Sequence, residues 1–228
     1  MRVIAGEYRS RRLESLPGTE VRPTSDKLRE TLFDILGPSI EGKVFVDAYA
    51  GSGAVGIEAI SRGARQAVFI EKNRAACEVI RSNLASLKIG REARLIQGSA
   101  ALYLDRIEAD IVFLDPPYPK EREYDAAMEA LEKKPPALVI AQHSSRVALR
   151  EQYGPLRRTR VVRQGENTLS FYRPTAAAES RPESQEAQSR EGRWATREEL
   201  RSREGIPESR EERPEPTEQV PATRTDQA

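Results

Sequence analysis

Residues 43–56 read KVFVDAYAGSGAVG, and this stretch decides the expected fold. Its first half, 43–49, is a short apolar run with the length and β-branched content typical of a buried strand. The glycines that follow allow a tight turn and let a ligand approach the backbone. A helix is then predicted from about Ala54 to Arg62. Strand, glycine-rich turn and helix in this order indicate an α/β protein with a parallel sheet.

The same alternation continues along the chain and ends in a hairpin. Strands are predicted at 67–70, 93–97, 111–114 and 136–141, and helices at 73–87, 101–107 and 123–133. Residues 156–164 and 168–173 flank a Gly-Glu-Asn turn, a pattern typical of an antiparallel hairpin. The sequence therefore predicts an α/β, doubly wound, mostly parallel seven-stranded sheet of Rossmann-like type, closed by an antiparallel hairpin.

A second informative stretch is residues 111–118, which read IVFLDPPY. Prolines cannot donate ladder hydrogen bonds, so the strand is expected to end at Asp115. In open α/β sheets reactive groups gather beyond the carboxyl ends of strands, which places Asp115 and Tyr118 at the mouth of a site. Pro116 and Pro117 stiffen the loop and present carbonyl oxygens. This set suits a planar substrate with an NH₂ group, since the oxygens accept its hydrogens and the ring of Tyr118 stacks on its face.

D-P-P-Y after an apolar strand resembles the signature of amino-methyltransferases that use S-adenosylmethionine (SAM). The targets of these enzymes are exocyclic amines of bases or a glutamine side-chain amide. A buried strand followed by a Pro-Pro turn with a surface tyrosine would contain the same four residues, so the rest of the chain has to decide.

The glycine-rich turn is compatible with two cofactors. Gly51, Gly53 and Gly56, with an acid at Glu71, match the dinucleotide fingerprint of a dehydrogenase, which would bind pyrophosphate at the helix N-terminus. Asp47, just before the turn, would repel a pyrophosphate but can hold the ammonium end of SAM, directly or through water. The wording D-A-Y-A-G-S-G is similar to the D-x-F/Y-x-G-x-G form of SAM enzymes. SAM is therefore favoured over NAD.

The N-terminal forty residues contain a longer resemblance. Residues 22–33 read RPTSDKLRETLF and closely resemble the segment before the cofactor motif in RsmD-type bacterial small-subunit rRNA guanine-N2 methyltransferases. The resemblance covers about residues 2–173 and implies a class I SAM methyltransferase fold. It also implies transfer of a methyl group from SAM to the N2 amine of a guanine in 16S rRNA, either free or in an assembling or complete small ribosomal subunit.

The residues that match this family fall into three groups. The catalytic group is Asp115, Pro116, Pro117 and Tyr118. The cofactor-binding group is Asp47, Ala50, Gly51, Ser52, Gly53, Glu71, Lys72, Ser99, Ala100 and Asp115. The RNA-binding group, in a hairpin and helix within residues 1–40, is Arg9, Arg11, Arg12, Arg22, Thr24 and Arg29. Related enzymes usually place an acid or amide at the position of Ser99, so adenine recognition is expected to rest more on the backbone of Ala100.

Local patterns make further predictions about individual side chains. A basic hairpin at 2–14 is expected to carry its arginines outward, as a solvated face or as a phosphate-binding face. A helix ending before Gly37 is expected to bury an apolar face and to leave Arg29 off that face. Cys77 is expected to pack as a small core residue. His143 is expected to be a polar loop residue after the fifth strand.

Composition limits the remaining possibilities. Residues 174–228 hold nine arginines, no lysine and thirteen acids, which leaves residues 1–173 with a net charge of +5. Because residues 174–228 contain few large apolar side chains, we expect a disordered polar tail after a methyltransferase domain at 1–173. We expect no membrane span, no secretory signal and no metal site. A single cysteine fits a reducing compartment, so a cytoplasmic protein is expected. The protein is also expected to be a monomer.

Three other functions remain open from the sequence. The D-P-P-Y chemistry does not separate an rRNA enzyme from a DNA adenine-N6 methyltransferase or a protein-glutamine methyltransferase. A basic RNA-binding domain that has lost catalysis is a third possibility. The intact glycine-rich turn and D-P-P-Y argue against the loss of catalysis, and the N-terminal wording favours rRNA.

Overall fold

The structure, a computed structural model, is described here for residues 1–16, 26–117 and 121–175. These residues belong to one compact unit, Met1–Arg181, and a second unit, Pro182–Ala228, lies outside the described residues. Arg22, Thr24 and Tyr118 also lie outside them, as does the predicted tail from residue 176 onward.

Helices and strands alternate along the described chain. The α-helices are α1 (Asp26–Leu36), α2 (Ala54–Ser61), α3 (Arg74–Leu87), α4 (Ala100–Tyr103) and α5 (Glu121–Glu132). Short 3₁₀ helices span Gly37–Ile40 and Leu104–Arg106. The strands are β1 (Val44–Asp47), β2 (Gln66–Glu71), β3 (Ala93–Gln97), β4 (Ile111–Leu114), β5 (Leu138–Ser144), β6 (Gln152–Tyr153), β7 (Leu156–Gln164) and β8 (Asn167–Pro174). In the described part of the chain, none of the helices combines the length and apolar character that a membrane span requires.

The strands form one sheet in the order β3-β2-β1-β4-β5-β8-β7-β6. The first five strands are parallel, and β8 is antiparallel to both β5 and β7. The predicted Rossmann-like α/β class is confirmed, and so is the closing antiparallel hairpin. The sheet has eight strands instead of the predicted seven, because β6 is only two residues long and too short to leave a periodic pattern in the sequence.

The central strands are buried on both faces, which explains why their sequences are continuous apolar runs. All four residues of β1 and all four of β4 are buried. Val46 and Val112 belong to a cluster that α5 completes with Met128. Phe45 and Phe113 belong to a second cluster on the opposite face, where α1 packs. The sheet is therefore covered by helices on both sides, and its functional edge is the end of the strands.

The first fourteen residues, termed the N-terminal segment (1–14), dock on α2. The predicted hairpin is reduced to a single antiparallel bridge between Arg2 and Arg12. The backbone N–H of Glu7 donates to the carbonyl oxygen of Ser61 at 2.8 Å. Gly6 has a φ of +80°, and a Cβ atom at this position would lie 1.8 Å from that same carbonyl oxygen. Glycine is therefore required for the close approach of the segment to α2.

The prediction that Arg29 lies off the buried face of α1 is wrong. Its side chain is 0% exposed. One terminal nitrogen donates to the carbonyl oxygen of Arg2 at 2.6 Å and to the carboxylate of Asp26 at 3.0 Å. A buried guanidinium needs such partners, since an unpaired charge inside a protein is strongly destabilising. Arg29 therefore joins the N-terminal segment to α1 and does not belong to an exposed RNA-binding surface.

Glu58 of α2 is the buried acid at the centre of this arrangement, and it is also 0% exposed. Its carboxylate accepts hydrogen bonds from the backbone N–H groups of Ile4 and Ala5, at 2.8 and 3.0 Å. It also accepts from Nε of Arg62 at 2.8 Å and lies 3.8 Å from Nε of Arg29. A single carboxylate thus holds the N-terminal segment and two arginines.

The prediction that His143 is a loop residue is also wrong. Strand β5 continues to Ser144, three residues beyond the predicted end, because β8 pairs with it there. His143 is buried, with Nε2 at 2.9 Å from Oγ of Ser170 and Nδ1 at 2.9 Å from the carbonyl oxygen of Ser144. Burial lowers the pKa of this imidazole. Its contacts are structural and join two strands.

Removal of the Glu58 carboxylate is expected to destabilise the fold severely. Glu58→Ala leaves Arg29 without part of its charge compensation and leaves two backbone N–H groups without acceptors. Breaking a buried ion pair in this way costs about 3–5 kcal/mol in the free energy of unfolding. The measurement is urea denaturation of the full chain. Glu78→Ala is the control, because Glu78 forms an exposed pair with Arg81 and its loss should change stability little. A Glu58→Ala protein as stable as the control would contradict this account.

Candidate active site

Acidic side chains lie at the carboxyl ends of three neighbouring parallel strands. Asp47 is the last residue of β1 and pairs with Phe69 of β2 and Phe113 of β4. Glu71 and Asp115 each follow two residues after those partners, so both lie further out along the same edge. The sequence predicted each acid separately as a site residue, and the strand register places them around one edge of the sheet.

Asp47 is the most buried of the three acids, at 2% exposure. Its Oδ2 accepts a hydrogen bond from the backbone N–H of Gly56 at 3.0 Å. Burial and the charges of Asp115 and Glu71 together raise the pKa of Asp47 to about 7, although the hydrogen bond from Gly56 opposes the shift. The three carboxyl groups are thus close enough to repel one another.

Glu71 shapes the glycine-rich turn. Its Oε2 accepts from the backbone N–H of Gly51 at 2.9 Å, and its Oε1 accepts from that of Asn73 at 2.7 Å. A carboxylate oxygen has two lone-pair directions, so each oxygen can accept a further hydrogen bond from a ligand hydroxyl. Glu71 therefore has a structural role that the sequence did not reveal, and its predicted ligand role stays a prediction.

Two glycines in the turn between β1 and α2 are required for steric reasons. Gly53 has a φ of +80°, a left-handed conformation that glycine adopts most readily. A Cβ atom on Gly56 would lie 2.3 Å from Cε1 of Phe69, so glycine is needed for the helix to pack on β2. A Cβ atom on Gly51 would meet no atom within 4 Å. The turn is therefore packed tightly beneath Gly56 and open above Gly51, on the side where a ligand could approach.

Asn83 is a site-supporting residue that sequence reasoning missed. It is 1% exposed, and its Nδ2 donates to the carbonyl oxygens of Ser52, at 2.9 Å, and Glu14, at 3.1 Å. Its Oδ1 accepts from the backbone N–H of Glu14 at 2.7 Å. The signal for it was a polar residue on the apolar face of α3. Asn83 joins the N-terminal segment to the glycine-rich turn.

Glu123 is a second residue that the sequence analysis did not single out. The hydroxyl of Tyr49 donates to the carbonyl oxygen of Glu123 at 3.2 Å and lies 3.4 Å from its carboxylate. The ammonium group of Lys72 lies 3.9 Å from the same carboxylate. Burial raises the pKa of Tyr49. The predicted cofactor residue Lys72 is exposed. Its contact with Glu123 connects the end of β2 to α5.

The predicted adenine-side residues lie at the start of α4. Ser99 precedes the helix as its N-cap residue but makes no side-chain capping hydrogen bond, and Ala100 is buried. The backbone N–H of Gly98 donates to the carbonyl oxygen of Glu71 at 3.0 Å, which brings this turn beside the end of β2. Ser99 and Ala100 therefore lie next to the acidic edge, as the sequence predicted.

The D-P-P-Y loop is described up to its second proline. Asp115 is half-buried, Pro116 is buried and Pro117 is exposed. The charge of Asp115 contributes to the raised pKa of Asp47. In the strand register Asp115 lies two residues beyond Phe113, which pairs with Asp47 just before the glycine-rich turn. The stacking role assigned to Tyr118 lies outside the described residues and stays a prediction.

The predicted RNA-binding arginines divide into two sets. Arg9, Arg11 and Arg12 of the N-terminal segment are exposed, as expected, and Arg11 also donates to the carbonyl oxygen of Ser86 at 3.2 Å. Arg2, Arg12 and Asp26 help to line a cavity of about 510 Å³ beside this segment. Arg29 is buried and does not join this surface. Within the described ranges, no cluster of three or more His, Cys, Asp and Glu side chains is arranged to hold a metal ion.

The raised pKa of Asp47 predicts a pH dependence of stability. Because this pKa is raised from 3.8 to about 7 by folding, the folded protein binds the proton more tightly than the unfolded chain. The free energy of unfolding should therefore fall as pH rises between these values. Asp47→Asn stays neutral and keeps an acceptor for Gly56, so it should lose this part of the slope.

Urea denaturation across that pH range measures the effect. Asp34→Asn is a suitable control, because Asp34 is exposed and pairs with Arg62 at 3.6 Å on the surface. That variant should retain the slope of the unmodified protein. Identical slopes for Asp47→Asn and the unmodified protein would show that folding does not raise the pKa of Asp47.

Comparisons with known proteins identify the family to which this chain belongs. Residues 1–173 match a family model described as "Conserved hypothetical protein 95". The chain is 34% identical over 182 residues to "Putative rRNA methyltransferase YlbH" of Bacillus subtilis, which covers 76% of this chain and 98% of that protein. It is 42% identical over 120 residues to "Ribosomal RNA small subunit methyltransferase D" of Escherichia coli, which covers 52% of this chain and 60% of that protein.

Solved structures show the same relationship. "Putative methyltransferase yhhF from Escherichia coli" matches with a TM-score of 0.68 and 34% identity, over 77% of this chain and 98% of that one. The T. thermophilus 16S rRNA N2 methyltransferase RsmC, solved with AdoMet and guanosine, shares the fold at 19% identity and a TM-score of 0.58, over 70% of this chain and 45% of that one. Because the family model spans most of the chain and YlbH is matched over nearly its whole length, this chain belongs to the RsmD-type methyltransferase family.

Proposed function

We propose that this protein transfers a methyl group from SAM to the exocyclic N2 amine of a guanine in 16S rRNA. Membership of the methyltransferase family supports methyl transfer, and the names of the relatives support small-subunit rRNA as the substrate. The observation that carries the proposal is the set of carboxyl groups of Asp47, Glu71 and Asp115 at one edge of the sheet, with two prolines beside Asp115.

The charge of this edge fits SAM better than a dinucleotide. SAM has a sulfonium and an ammonium group against one carboxylate, so its net charge is positive, whereas NAD brings a pyrophosphate. The carboxyl groups already repel one another, since Asp115 and Glu71 raise the pKa of Asp47. A cationic ligand relieves this repulsion, and an anionic one adds to it. Asp47 would hold the ammonium end and Glu71 the ribose hydroxyls, while Gly51 and Ala100 would offer backbone to the ligand.

The catalytic role falls to the loop after β4. When bound, SAM supplies an electrophilic methyl group. The lone pair of a guanine N2 amine is delocalised into the ring, so the amine has to be oriented before it can react. The carboxylate of Asp115 and the carbonyl oxygen of Pro116 would accept hydrogen bonds from the NH₂ group, and Tyr118 would stack on an unpaired or flipped-out base. Alignment and charge placement are then the main catalytic terms.

The RNA would be held by the N-terminal segment. Arg9, Arg11 and Arg12 are exposed, and phosphate contacts of this kind supply most of the sequence-independent affinity for nucleic acids. Asn83 connects this segment to the glycine-rich turn through Ser52. The arginines are therefore attached rigidly to the element that would bind the cofactor.

Loss of the Glu71 carboxylate is expected to weaken SAM binding about tenfold or more. A charge-assisted hydrogen bond is worth about 1.5–3 kcal/mol, and the variant also loses the bond to Gly51. Titration calorimetry with SAM and with NAD measures both affinities for Glu71→Ala and the unmodified protein. Glu129→Ala, on the exposed side of α5, is the control and should bind SAM normally. Unchanged SAM affinity in Glu71→Ala, or tight NAD binding, would reject the cofactor assignment.

Loss of the Asp115 carboxylate is expected to remove most of the methyl-transfer rate. By analogy with oxyanion-site donors, a missing transition-state hydrogen bond costs about 10²–10³ in rate. Single-turnover assays of Asp115→Ala with labelled SAM measure this loss. SAM affinity, measured in parallel, should change only modestly. Near-normal turnover would defeat the amine-orientation mechanism.

The substrate is identified in the same assay. Unmodified 16S rRNA, small ribosomal subunits and free DNA are offered in turn, and the labelled nucleoside is analysed. N2-methylguanosine from rRNA or subunits is the expected product. Label in adenine of DNA would instead identify the DNA adenine-N6 alternative.

A further inference from the structure

We propose that the closing hairpin forms a second contact for the phosphate backbone of rRNA, made by Arg160 and Arg163 of β7. This inference rests on the proposed function and extends it, because the RNA-binding residues predicted from the sequence all lie within residues 1–40. We term Arg160 and Arg163 the hairpin arginines.

Strand β7 has an unusual charge pattern. It reads LRRTRVVRQ, with four arginines and no acid in nine residues. Arg158 is occupied by structure, since it donates to the carbonyl oxygen of Leu149 at 3.0 Å and lies 3.3 Å from the carboxylate of Glu151. Arg160 and Arg163 are exposed and form no ion pair with a carboxylate among the described residues. Their positive charges are therefore available to an anionic partner.

The direction of β7 brings its end to the catalytic edge. Strand β8 is antiparallel to β5, and β7 is antiparallel to β8, so β7 runs in the same direction as β5 and β4. Leu114 of β4 pairs with Ala141, Ala141 with Ser170, and Ser170 with Val161. Arg163 lies two residues beyond Val161, just as Pro116 lies two residues beyond Leu114. The carboxyl end of β7 thus belongs to the same edge of the sheet as the D-P-P-Y loop.

The distance across the sheet suits a contact with the same RNA molecule. Three strand spacings separate β4 from β7, and each is about 4.8 Å, so the backbones of Pro116 and Arg163 are about 14 Å apart. A guanine bound at Asp115 would have its neighbouring nucleotides within this reach. Arg163 is therefore placed to contact phosphates that flank the target base and not the base itself.

The two arginines lie on either side of one strand. Residues paired across an antiparallel ladder share a face, so Arg160 lies with Phe171, and its guanidinium is 5.8 Å from the centre of that ring. Arg163 pairs with Thr168 and shares the other face with Val161, a large apolar residue that is 44% exposed. An edge with a positive charge on each face, and with exposed apolar surface beside Arg163, fits a nucleic acid strand better than a compact anion.

The positions of the N-terminal segment and of β7 relative to β4 show which arginines lie near the catalytic edge. In the order β3-β2-β1-β4-β5-β8-β7-β6, β4 lies between β1, whose turn leads to α2, and β7. The N–H of Tyr8 donates to Ser61, the last residue of α2, and Arg11 donates to Ser86 near the end of α3, so Arg9 and Arg11 lie toward the amino ends of the strands. Arg163, at the carboxyl end of β7, therefore lies closer to the edge that carries Asp115.

A competing role for these arginines is protection of a sheet edge. Strand β6 pairs with Arg157 and Leu156 only, which leaves the rest of β7 as an edge of the sheet. Charged residues on an edge strand prevent it from pairing with a strand of another molecule. The two roles differ in what they predict for RNA binding by the monomeric protein, and the experiment separates them.

The experiment compares the full chain with an Arg160→Ala/Arg163→Ala double variant. Arg65→Ala is the matched control, because Arg65 is exposed, forms no ion pair with a described carboxylate, and lies just before β2 at the opposite edge of the sheet. Affinity for unmodified 16S rRNA and for small subunits is measured at several salt concentrations. SAM affinity and melting temperature are measured on the same samples, and size-exclusion chromatography isolates the monomer.

The expected result is weaker RNA binding by the double variant and a smaller salt dependence. Each phosphate contact contributes about 0.7–0.9 to the slope of log K against log salt, so the slope should fall by about 1.5. Arg65→Ala should keep the full slope, and Arg160→Lys/Arg163→Lys should restore most of it. SAM affinity should be unchanged in all variants, and Arg65→Ala should also keep the single-turnover rate of the unmodified protein.

Two outcomes would overturn the proposal. The first is an unchanged salt slope in the double variant. The second is an aggregating variant whose monomeric fraction binds RNA normally, which would assign the arginines to edge protection. The proposed function is tested separately by the unmodified protein: if it binds rRNA without methylating it, the methyltransferase assignment fails, and the salt slopes still decide the role of the hairpin arginines. Failure of the unmodified protein to bind RNA would overturn both.

Discussion

The parallel sheet forces acidic side chains into proximity, and most features of the site follow from this constraint. Asp47, Glu71 and Asp115 end up near one edge because parallel strands finish on the same side. Burial is the main cause of the raised pKa of Asp47, and the repulsion from Asp115 and Glu71 adds to it. Backbone N–H groups of the glycine-rich turn offset part of it, through Gly56 to Asp47 and Gly51 to Glu71. If the proposed site binds SAM, this acidic edge would favour the cationic ligand and disfavour a pyrophosphate.

Helix α2 connects the proposed ligand side of the molecule to the proposed RNA side. Its first turn follows the glycine-rich loop, and all eight of its residues are buried. One turn further along, Glu58 accepts hydrogen bonds from the N-terminal segment. A short, fully buried helix cannot shift without disrupting the core, since interiors are close-packed. The distance between the exposed arginines and the cofactor turn is therefore fixed by packing, which suits a reaction that depends on alignment.

Sequence patterns predicted the elements that depend on local periodicity. They failed where contacts between residues distant in sequence determine the structure. Strands β3 and β4 were predicted within one residue of their observed bounds. For β4 the reason is that a short apolar run between breakers has few other interpretations. Arg29 was misplaced because a charged residue is normally assigned to the solvent face, and its buried acid Glu58 lies 29 positions away. Similarly, His143 extends β5 because its imidazole bonds to Ser170 of β8, a partner that no local pattern indicates. The acids of the site were found because motifs mark them, whereas the supporting residue Asn83 was not.

The arrangement of positive charge around the site bears on how a particular guanine would be selected. Phosphate contacts position a nucleic acid without reading its sequence, and single-stranded or looped RNA is recognised largely by shape. If Arg163 contacts phosphates that flank the target guanine, the RNA backbone passes beside Asp115. A regular A-form helix keeps its bases stacked inside, so such a path favours a loop or an opened strand in which one base can leave the stack. Selection would then depend on the local shape of the rRNA or of the assembling particle, and Asp115 would need to recognise no more than an amine.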